Sequence, residues 1–253
     1  MEKGEQVIKE VRELDLAILK GLYEYRAFTT DQIQRRYGLT YWYSYRKIRL
    51  LRNSGLISSH SIVGLEEGKG YQGKYHRITN KGLMVLKEHG VNVDKRMQQL
   101  EVAERQIPFL LATNDVMVDL EPYGWVLTDS REIKEKLNVN RSDNIHGTLR
   151  NEYRGSREYG IYTYLHGVSD KHIAKMLREI KNYSQVKDKA ITLQDFIIFK
   201  KGKRGFEQII NAIMNEDKGG FLARVSSIKL FPFTFGKYYL RVFDDERELL
   251  NYA

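Results

Sequence analysis

The segment LTYWYSYRKIRLLRNSGLI, residues 39–57, combines aromatic rings with cations at a density that one helix rarely carries. Thr40 is a favourable N-cap and Gly55 a favourable stop, so the segment predicts a helix over residues 41–53. Helical spacing places Ser44, Ile48 and Leu51 on the buried face. Tyr41 and Tyr45 are expected to flank this face, and the exposed face is expected to carry Trp42, Tyr43, Arg46, Lys47 and Arg49.

Two helices are predicted before this segment. An apolar stripe at helical spacing predicts the first over about residues 5–24. The second is predicted over about residues 31–37, with Thr30 as its N-cap and Gly38 as its stop. A three-residue turn, Gly38-Leu39-Thr40, then leads into helix 41–53. Two short helices joined by such a turn are typical of a helix-turn-helix unit.

A β-hairpin is predicted after the segment. Residues 56–63 and 75–78 are strand-like, and the tip between them is rich in glycine and lysine. Thr79 or Asn80 can cap a closing helix that runs to about His89. This order of elements is that of a winged helix, in which the hairpin is the wing. Lys69, Tyr71 and Lys74 are expected to contact phosphates or the minor groove; the alternative is an ordinary hairpin whose glycines serve only the turn.

The positive charge of the chain is concentrated in this region. The 253 residues carry a net charge of +9. Between Arg26 and Lys81, eleven Lys and Arg residues face only three acids. Such a footprint favours a nucleic-acid partner, and the alternative is a solvated basic face kept for solubility. The eleven are Arg26, Arg35, Arg36, Arg46, Lys47, Arg49, Arg52, Lys69, Lys74, Arg77 and Lys81.

Composition restricts the compartment and the chemistry. There are no cysteines, which excludes disulfides, thiolate metal sites and a cysteine nucleophile. No apolar run reaches the roughly 18 residues of a membrane span, and the charged first residues do not resemble a secretory signal. The sequence therefore predicts a cytoplasmic protein with no membrane association.

The second half predicts a different architecture. Strands are expected at about 125–128, 148–153, 159–165, 191–199 and 227–231, and helices at about 130–137, 170–187 and 205–215. Pro108 is expected to kink or restart a helix. Strands that alternate with helices are typical of an α/β domain. We therefore expect a winged helix-turn-helix domain over 1–92 and a mixed α/β domain over 93–253, an α+β or α/β fold class overall.

Several stretches resemble the replication-relaxation family of bacterial plasmids and mobile elements. They are LYEYRAFTTDQI, RKIRLLRNSGLI, YHRITNKGLMVL, LLATNDVMVDL, GWVLTDSREI and YGIYTYLHGVSDKHIAKMLREIKNYSQV, in that order along the chain. The resemblance implies an N-terminal winged helix and a C-terminal domain related to restriction-endonuclease folds. It also implies a role in plasmid replication or DNA relaxation.

The residues that nuclease chemistry requires are not found at the expected places. A metal-dependent nuclease of that fold needs an acid on one strand and an acid-x-Lys on the next. Asp143 could be the first acid, but the following strand offers Gly160, Tyr162 and Tyr164. There is no P-loop and no His-x-His pair. We therefore expect no catalytic residues, no metal and no cofactor, and a C-terminal domain that serves as a scaffold or for oligomerisation.

The sequence is compatible with three functions. The first is a double-stranded DNA-binding homodimer that binds repeated half-sites, with Arg46 or Lys47 contacting guanine edges. The resemblance implies that these sites lie at a plasmid origin and that replication proteins are partners. The second is a transcription regulator with a sensing C-terminal domain. The third is a metal-dependent nuclease or nicking enzyme. Footprinting separates the first two, and incubation of supercoiled plasmid with Mg²⁺ or Mn²⁺ tests the third.

Overall fold

A computed structural model provides the three-dimensional description of the chain. It describes residues 10–62, 73–139, 143–151, 158–164, 169–185, 193, 195–201, 206–217 and 227–233. The chain divides into two compact units, an N-terminal unit, Met1–Val118, and a C-terminal unit, Asp119–Ala253. Lys69 and Tyr71, which are predicted to contact DNA, lie outside the described residues. The residues after 233, for which the sequence predicts an amphipathic segment, also lie outside them.

The N-terminal unit contains six α-helices and three short strands among its described residues. In chain order they are α1 (Glu13–Tyr25), β1 (Phe28–Thr29), α2 (Thr30–Arg36), α3 (Tyr41–Asn53), β2 (Ile57–Ser61), β3 (Lys74–Ile78), α4 (Asn80–Glu88), α5 (Met97–Leu100) and α6 (Ile107–Leu120), the last of which runs two residues into the next unit. The strands form one antiparallel sheet in the order β1-β3-β2. The predicted helix over 41–53 is confirmed with both of its bounds.

Two predicted boundaries in this unit are wrong. Helix α1 begins at Glu13 rather than near residue 5, because Asp15 closes a capping box with the backbone of Arg12. Helix α2 is capped by Thr29 rather than Thr30. The Thr29 hydroxyl accepts from the Gln32 amide at 3.2 Å, and the Gln32 side chain accepts from the Thr29 amide at 3.0 Å. The Thr-x-x-Gln spacing therefore starts this helix one residue earlier than predicted.

Helix α6 is anchored to the rest of the N-terminal unit by buried polar contacts. Asn114 donates to the main-chain oxygens of Tyr25 at 3.0 Å and Ala27 at 2.6 Å. Gln32 of α2 donates to the Leu111 oxygen at 2.7 Å. Asp115 is completely buried and binds Arg35 of α2. Because side chains of α6 satisfy buried groups of α2 and of the α1–β1 turn, this helix is part of the N-terminal fold. Pro108 stands in its first turn, consistent with the predicted restart.

A buried histidine connects the short sheet to α2. The ring of His76 on β3 lies 2.8 Å from the Ser59 hydroxyl through Nδ1 and 3.1 Å from the Thr30 hydroxyl through Nε2. Burial, assisted by the positive charges of Arg52 and Lys74, lowers the pKa of His76 from 6.5 to about 4. The folded protein therefore holds this ring neutral at pH 7.

Acidification is expected to destabilise the fold between pH 6.5 and pH 4 through His76. In this window the histidine is protonated in the unfolded chain but stays neutral in the folded protein, so the free energy of unfolding falls as the pH falls. The full shift corresponds to about 3 kcal/mol. Urea unfolding at pH 7 and pH 4.5 measures it. A His76→Gln variant should lose less stability than the native protein; an equal loss in both would contradict this assignment.

The described residues of the C-terminal unit form a five-stranded mixed sheet with helices packed against it. Its elements are β4 (Trp125–Asp129), α7 (Ser130–Lys136), β5 (Gly147–Asn151), β6 (Glu158–Tyr164), α8 (Asp170–Gln185), β7 (Asp195–Lys201), α9 (Phe206–Asp217) and β8 (Ser227–Phe233). The strand order is β4-β5-β6-β7-β8. The first three strands are antiparallel neighbours, and β6, β7 and β8 are parallel, with α8 and α9 as the crossovers.

The core of this unit lies between the sheet and its helices. Tyr162 and Phe196 of the sheet are buried against Ile173, Met176 and Ile180 of α8. The described residues contain helices together with two separate sheets, which confirms the predicted α+β class. In the part of the chain that the structure describes, no helix is long and apolar enough to cross a membrane.

Candidate nucleic-acid interface

The turn between α2 and α3 is fixed by local hydrogen bonds. Gly38 adopts φ 60°, which favours glycine, and its amide donates to the Arg35 oxygen at 3.3 Å. The Leu39 amide donates to the Gln34 oxygen at 2.9 Å, which completes a Schellman motif. Thr40 then caps α3 by accepting from the Tyr43 amide at 3.4 Å. The predicted turn and its cap are confirmed, and they set the angle at which α3 leaves α2.

The buried face of α3 is the predicted one. Ser44, Ile48 and Leu51 are buried, and Ile48 and Leu51 belong to the main core of the N-terminal unit. The Ser44 hydroxyl donates to the Tyr41 oxygen at 2.8 Å, so this small polar side chain is satisfied inside the fold. The opposite side of α3 is therefore held towards solvent.

The predicted position of Lys47 on the exposed face is wrong. Its side chain is only 10% exposed, and its Nζ lies 2.8 Å from Oδ1 of Asp15, which is 1% exposed. Lys47 is next to Ile48 on the helix, so its stem can follow the core while its ammonium group reaches the carboxylate. The partner is on α1, 32 residues earlier in the chain, and the helical spacing of α3 alone could not reveal it. Lys47 stabilises α1 against α3 and offers no charge to a ligand.

The aromatic side chains of α3 are more exposed than predicted. Trp42 is 77% exposed and Tyr43 47% exposed, as expected for the outer face. Tyr41 and Tyr45, which were expected to flank the core, are 57% and 55% exposed. Four rings on one short helix therefore contribute their apolar surface to solvent rather than to the core, which is uncommon for side chains of this size.

A groove of about 390 Å³ runs along the outer side of α3. It is lined by the set that we call the α3 outer stripe: Trp42, Tyr45, Arg46, Arg49 and Leu50. Sequence reasoning found Trp42, Arg46 and Arg49 but missed Tyr45 and Leu50. The signal was available, because Trp42, Tyr45 and Arg49 recur at intervals of three and four residues, which place them on one helical face.

The cations of this region separate into engaged and available ones. Arg35 binds Asp31 and Asp115, and Arg36 lies 3.6 Å from Glu24 and over the ring of Tyr25. Arg35, Arg36 and Lys47 each bind a carboxylate from outside residues 26–81, namely Asp115, Glu24 and Asp15. The folded region therefore has a smaller excess of positive charge than a count over residues 26–81 indicates. The exposed cations that form no salt bridge with any described residue are Arg46, Arg49, Arg52, Lys74 and Lys81.

Only part of the predicted wing surface is described. Lys74 is exposed at the start of β3, where β2 and β3 are paired up to Ser61 and Lys74. Lys69 and Tyr71 belong to the segment between these strands and lie outside the described residues. Their contact with DNA stays a prediction.

Three acidic side chains of the C-terminal unit accept hydrogen bonds within the protein. Asp143 accepts from the Tyr183 hydroxyl at 2.8 Å, and Glu158 accepts from the Thr148 hydroxyl. Glu179 accepts from the Asn144 amide at 2.9 Å, and burial raises the pKa of Glu179. Among the residues that the structure describes, no three His, Asp or Glu side chains are grouped so that they could hold a metal ion.

Comparison with known proteins gives one match. The model of the replication-relaxation family matches residues 19–150, a little more than half of the chain. The match extends from α1 through the outer stripe and α6 to β5 of the C-terminal unit. No curated protein and no solved structure matches the chain. The resemblance noted from the sequence is thereby confirmed, and this chain belongs to the replication-relaxation family.

Proposed function

We propose that this protein is a non-catalytic, double-stranded DNA-binding protein that acts at an origin of replication. Its family suggests a role in the replication or relaxation of a plasmid or mobile element. The N-terminal unit is the DNA-binding part, with α3 placed in the major groove. The C-terminal unit pairs two copies of the chain or recruits replication proteins.

The observation that carries this proposal is the exposed cationic stripe on the second helix of a helix-turn-helix pair. The order α1, α2, α3, β2, β3, α4 is the order of a winged helix. In such folds the second helix of the pair enters the major groove and contacts base edges through its N-terminal half. Arg46 and Arg49 are exposed on that helix, and α3 contains no acidic residue that would oppose a phosphate backbone.

The two kinds of cation are assigned different tasks. Arg46 lies in the first half of α3 beside exposed rings, where an arginine can donate two hydrogen bonds to a guanine edge. Lys74 is at the end of the hairpin, where an ammonium group is suited to contact phosphate without regard to sequence. Specificity is therefore assigned to α3 and general affinity to the hairpin.

Substitution of the two cations should have different effects on DNA binding. Arg46→Ala is expected to weaken binding to the specific site by about 1–3 kcal/mol and to relax specificity. Lys74→Ala is expected to weaken binding to all sequences about equally and to reduce the salt dependence. Fluorescence anisotropy with a site obtained by selection from host DNA measures both. The matched control is Lys87→Ala, an exposed lysine on α4; Arg46→Ala binding like this control would contradict the assignment of α3.

Footprinting separates an origin-binding protein from a transcription regulator. Homodimers of helix-turn-helix proteins protect paired half-sites about one helical turn apart. We expect such protection at repeats in the origin of the element that encodes the chain. Protection confined to promoters, with affinity that changes when a small molecule is added, would favour a regulator instead.

The proposal that the protein is not catalytic is supported by the surroundings of Asp143, the acid that a nuclease site would use. The Asp143 carboxylate binds Tyr183, and β6 presents the buried rings of Tyr162 and Tyr164 where a nuclease would need an acid and a lysine. Supercoiled plasmid incubated with the protein and Mg²⁺ or Mn²⁺ is expected to stay supercoiled. Relaxed or linear product that disappears in an Asp143→Ala variant would contradict this part of the proposal.

A further inference from the structure

The α3 outer stripe contains more exposed aromatic surface than the recognition of paired bases uses. Contacts in the major groove are made to base edges by hydrogen-bonding side chains, mainly Arg, Lys, Asn and Gln. Trp42 offers one N–H donor and Tyr45 one hydroxyl, on rings that are 77% and 55% exposed. In that type of recognition the flat faces of these rings can contact thymine methyl groups but cannot stack on a base.

The positions of the rings and the cations favour a flat, anionic ligand. Trp42 and Tyr45 are one turn apart on the wall of the 390 Å³ groove, and Arg46 and Arg49 line the same groove. Aromatic rings beside cations are the combination that binds nucleotides, because the rings stack on base faces and the cations neutralise the phosphates.

The face of a base becomes accessible only when the base leaves the stack. In a duplex each base is covered on both sides by its neighbours, so a ring on α3 can reach its edge but not its face. Unpaired or extruded bases present their faces, and stacking on aromatic side chains then stabilises the open form. The exposed rings therefore match DNA that is locally unpaired.

We infer that the α3 outer stripe binds an unpaired base within duplex DNA. The base stacks on Trp42 and Tyr45, Arg49 holds the adjoining phosphate, and Arg46 keeps its contact with a neighbouring base edge. This inference rests on the proposed function and deepens it: the protein binds duplex DNA and prefers a site in which base pairs are open. Charge complementarity favours a nucleic acid as the occupant, because Arg46 and Arg49 form no salt bridge with any described residue and α3 contains no acid.

The test compares two DNA probes with the full-length chain. One is a labelled duplex that contains the selected site, and the other is the same duplex with a central block of mismatched pairs. The native protein is expected to bind the mismatched probe more tightly, by about 5-fold to 150-fold for each stacked base. Trp42→Ala and Tyr45→Ala should weaken binding to the mismatched probe by a larger factor than binding to the fully paired probe, so that the preference is lost. Both side chains are exposed, so urea unfolding of the variants should match that of the native protein.

A matched control and a second readout are available in the chain. Tyr123→Ala removes an exposed ring of the C-terminal unit and should leave the preference unchanged. The chain has two tryptophans, and Trp125 is 3% exposed, so fluorescence changes at the stripe come from Trp42. The mismatched probe should quench the emission of the native protein more strongly than that of a Trp42→Phe variant.

The outcomes distinguish the inference from the function on which it rests. If both probes bind with equal affinity, or if the ring variants weaken both equally, the inference is overturned and the duplex-binding function stands. If neither probe binds, both are overturned. A preference for the mismatched probe that is lost in Trp42→Ala and Tyr45→Ala but kept in Tyr123→Ala supports the inference.

Discussion

Replacement of Lys47 by alanine is expected to lower the free energy of unfolding by about 3–5 kcal/mol. The ion pair between Lys47 and Asp15 joins two helices at a distance of 2.8 Å, and the two side chains are 10% and 1% exposed. Removal of the ammonium group leaves the Asp15 carboxylate buried without a cation, and the cost of that uncompensated charge exceeds the net value of the pair. Urea unfolding followed by circular dichroism measures the change.

Two controls make this result specific. Arg46→Ala changes the preceding residue, which is exposed, and should stay within about 0.5 kcal/mol of the native protein. A double variant, Asp15→Leu with Lys47→Met, removes both charges and should regain part of the lost stability, because a buried ion pair can often be replaced by apolar side chains. The part that is not regained reflects the loss of the capping hydrogen bond from the Arg12 amide to Asp15, which costs about 1 kcal/mol. A Lys47→Ala protein as stable as Arg46→Ala would place Lys47 on the surface after all.

The Asp115→Ala substitution is expected to lower the free energy of unfolding by about 1–3 kcal/mol. Asp115 is completely buried on α6, where it binds the Arg35 guanidinium and lies 3.3 Å from the Gln32 side-chain nitrogen. Without the carboxylate, the buried Gln32 and the partly exposed Arg35 of α2 each lose an acceptor. Because α2 supports α3, we expect the variant to lose DNA binding on heating at the same temperature at which it unfolds.

The matched control for Asp115→Ala is a substitution of Asp31, which binds the same arginine, Arg35. Asp31 also binds Arg35, at 3.0 Å, but it is 51% exposed and lies one turn away on the same helix. Exposed pairs of this kind contribute about 0.3–0.5 kcal/mol, so Asp31→Ala should be nearly neutral. Equal effects of Asp31→Ala and Asp115→Ala in urea unfolding would show that α6 does not hold α2 in place.

Features with local signals could be predicted from the sequence. Thr40 and Gly55 mark the ends of α3, and the spacing of Ser44, Ile48 and Leu51 identifies its buried face. Caps, turns and helical spacing depend on residues within a few positions of each other, so a sequence contains them directly. The alternation of strands and helices in the C-terminal unit was predictable for the same reason.

Features that depend on distant partners were missed. Lys47 is turned inward by Asp15, and α6 is joined to the N-terminal fold by side chains about 80 residues away from their partners, such as Asn114 and Ala27. Propensity and periodicity carry no information about which distant charge will be buried beside which helix. The exposure of Tyr45 was missed for another reason: aromatic residues are usually buried, and here the helix turns its rings outward.

Whether the outer side of α3 lies against DNA can be measured directly, because the chain has no cysteine of its own. A single cysteine introduced as Tyr41→Cys, at an exposed position of α3 outside the groove, can carry an iron–EDTA group that cleaves nearby DNA. The same group on Met84→Cys, an exposed position of α4, is the control. We predict that the label at position 41 cuts the selected duplex within a short stretch of the bound site and that the label at position 84 does not. Cleavage from position 84 without cleavage from position 41 would contradict the account.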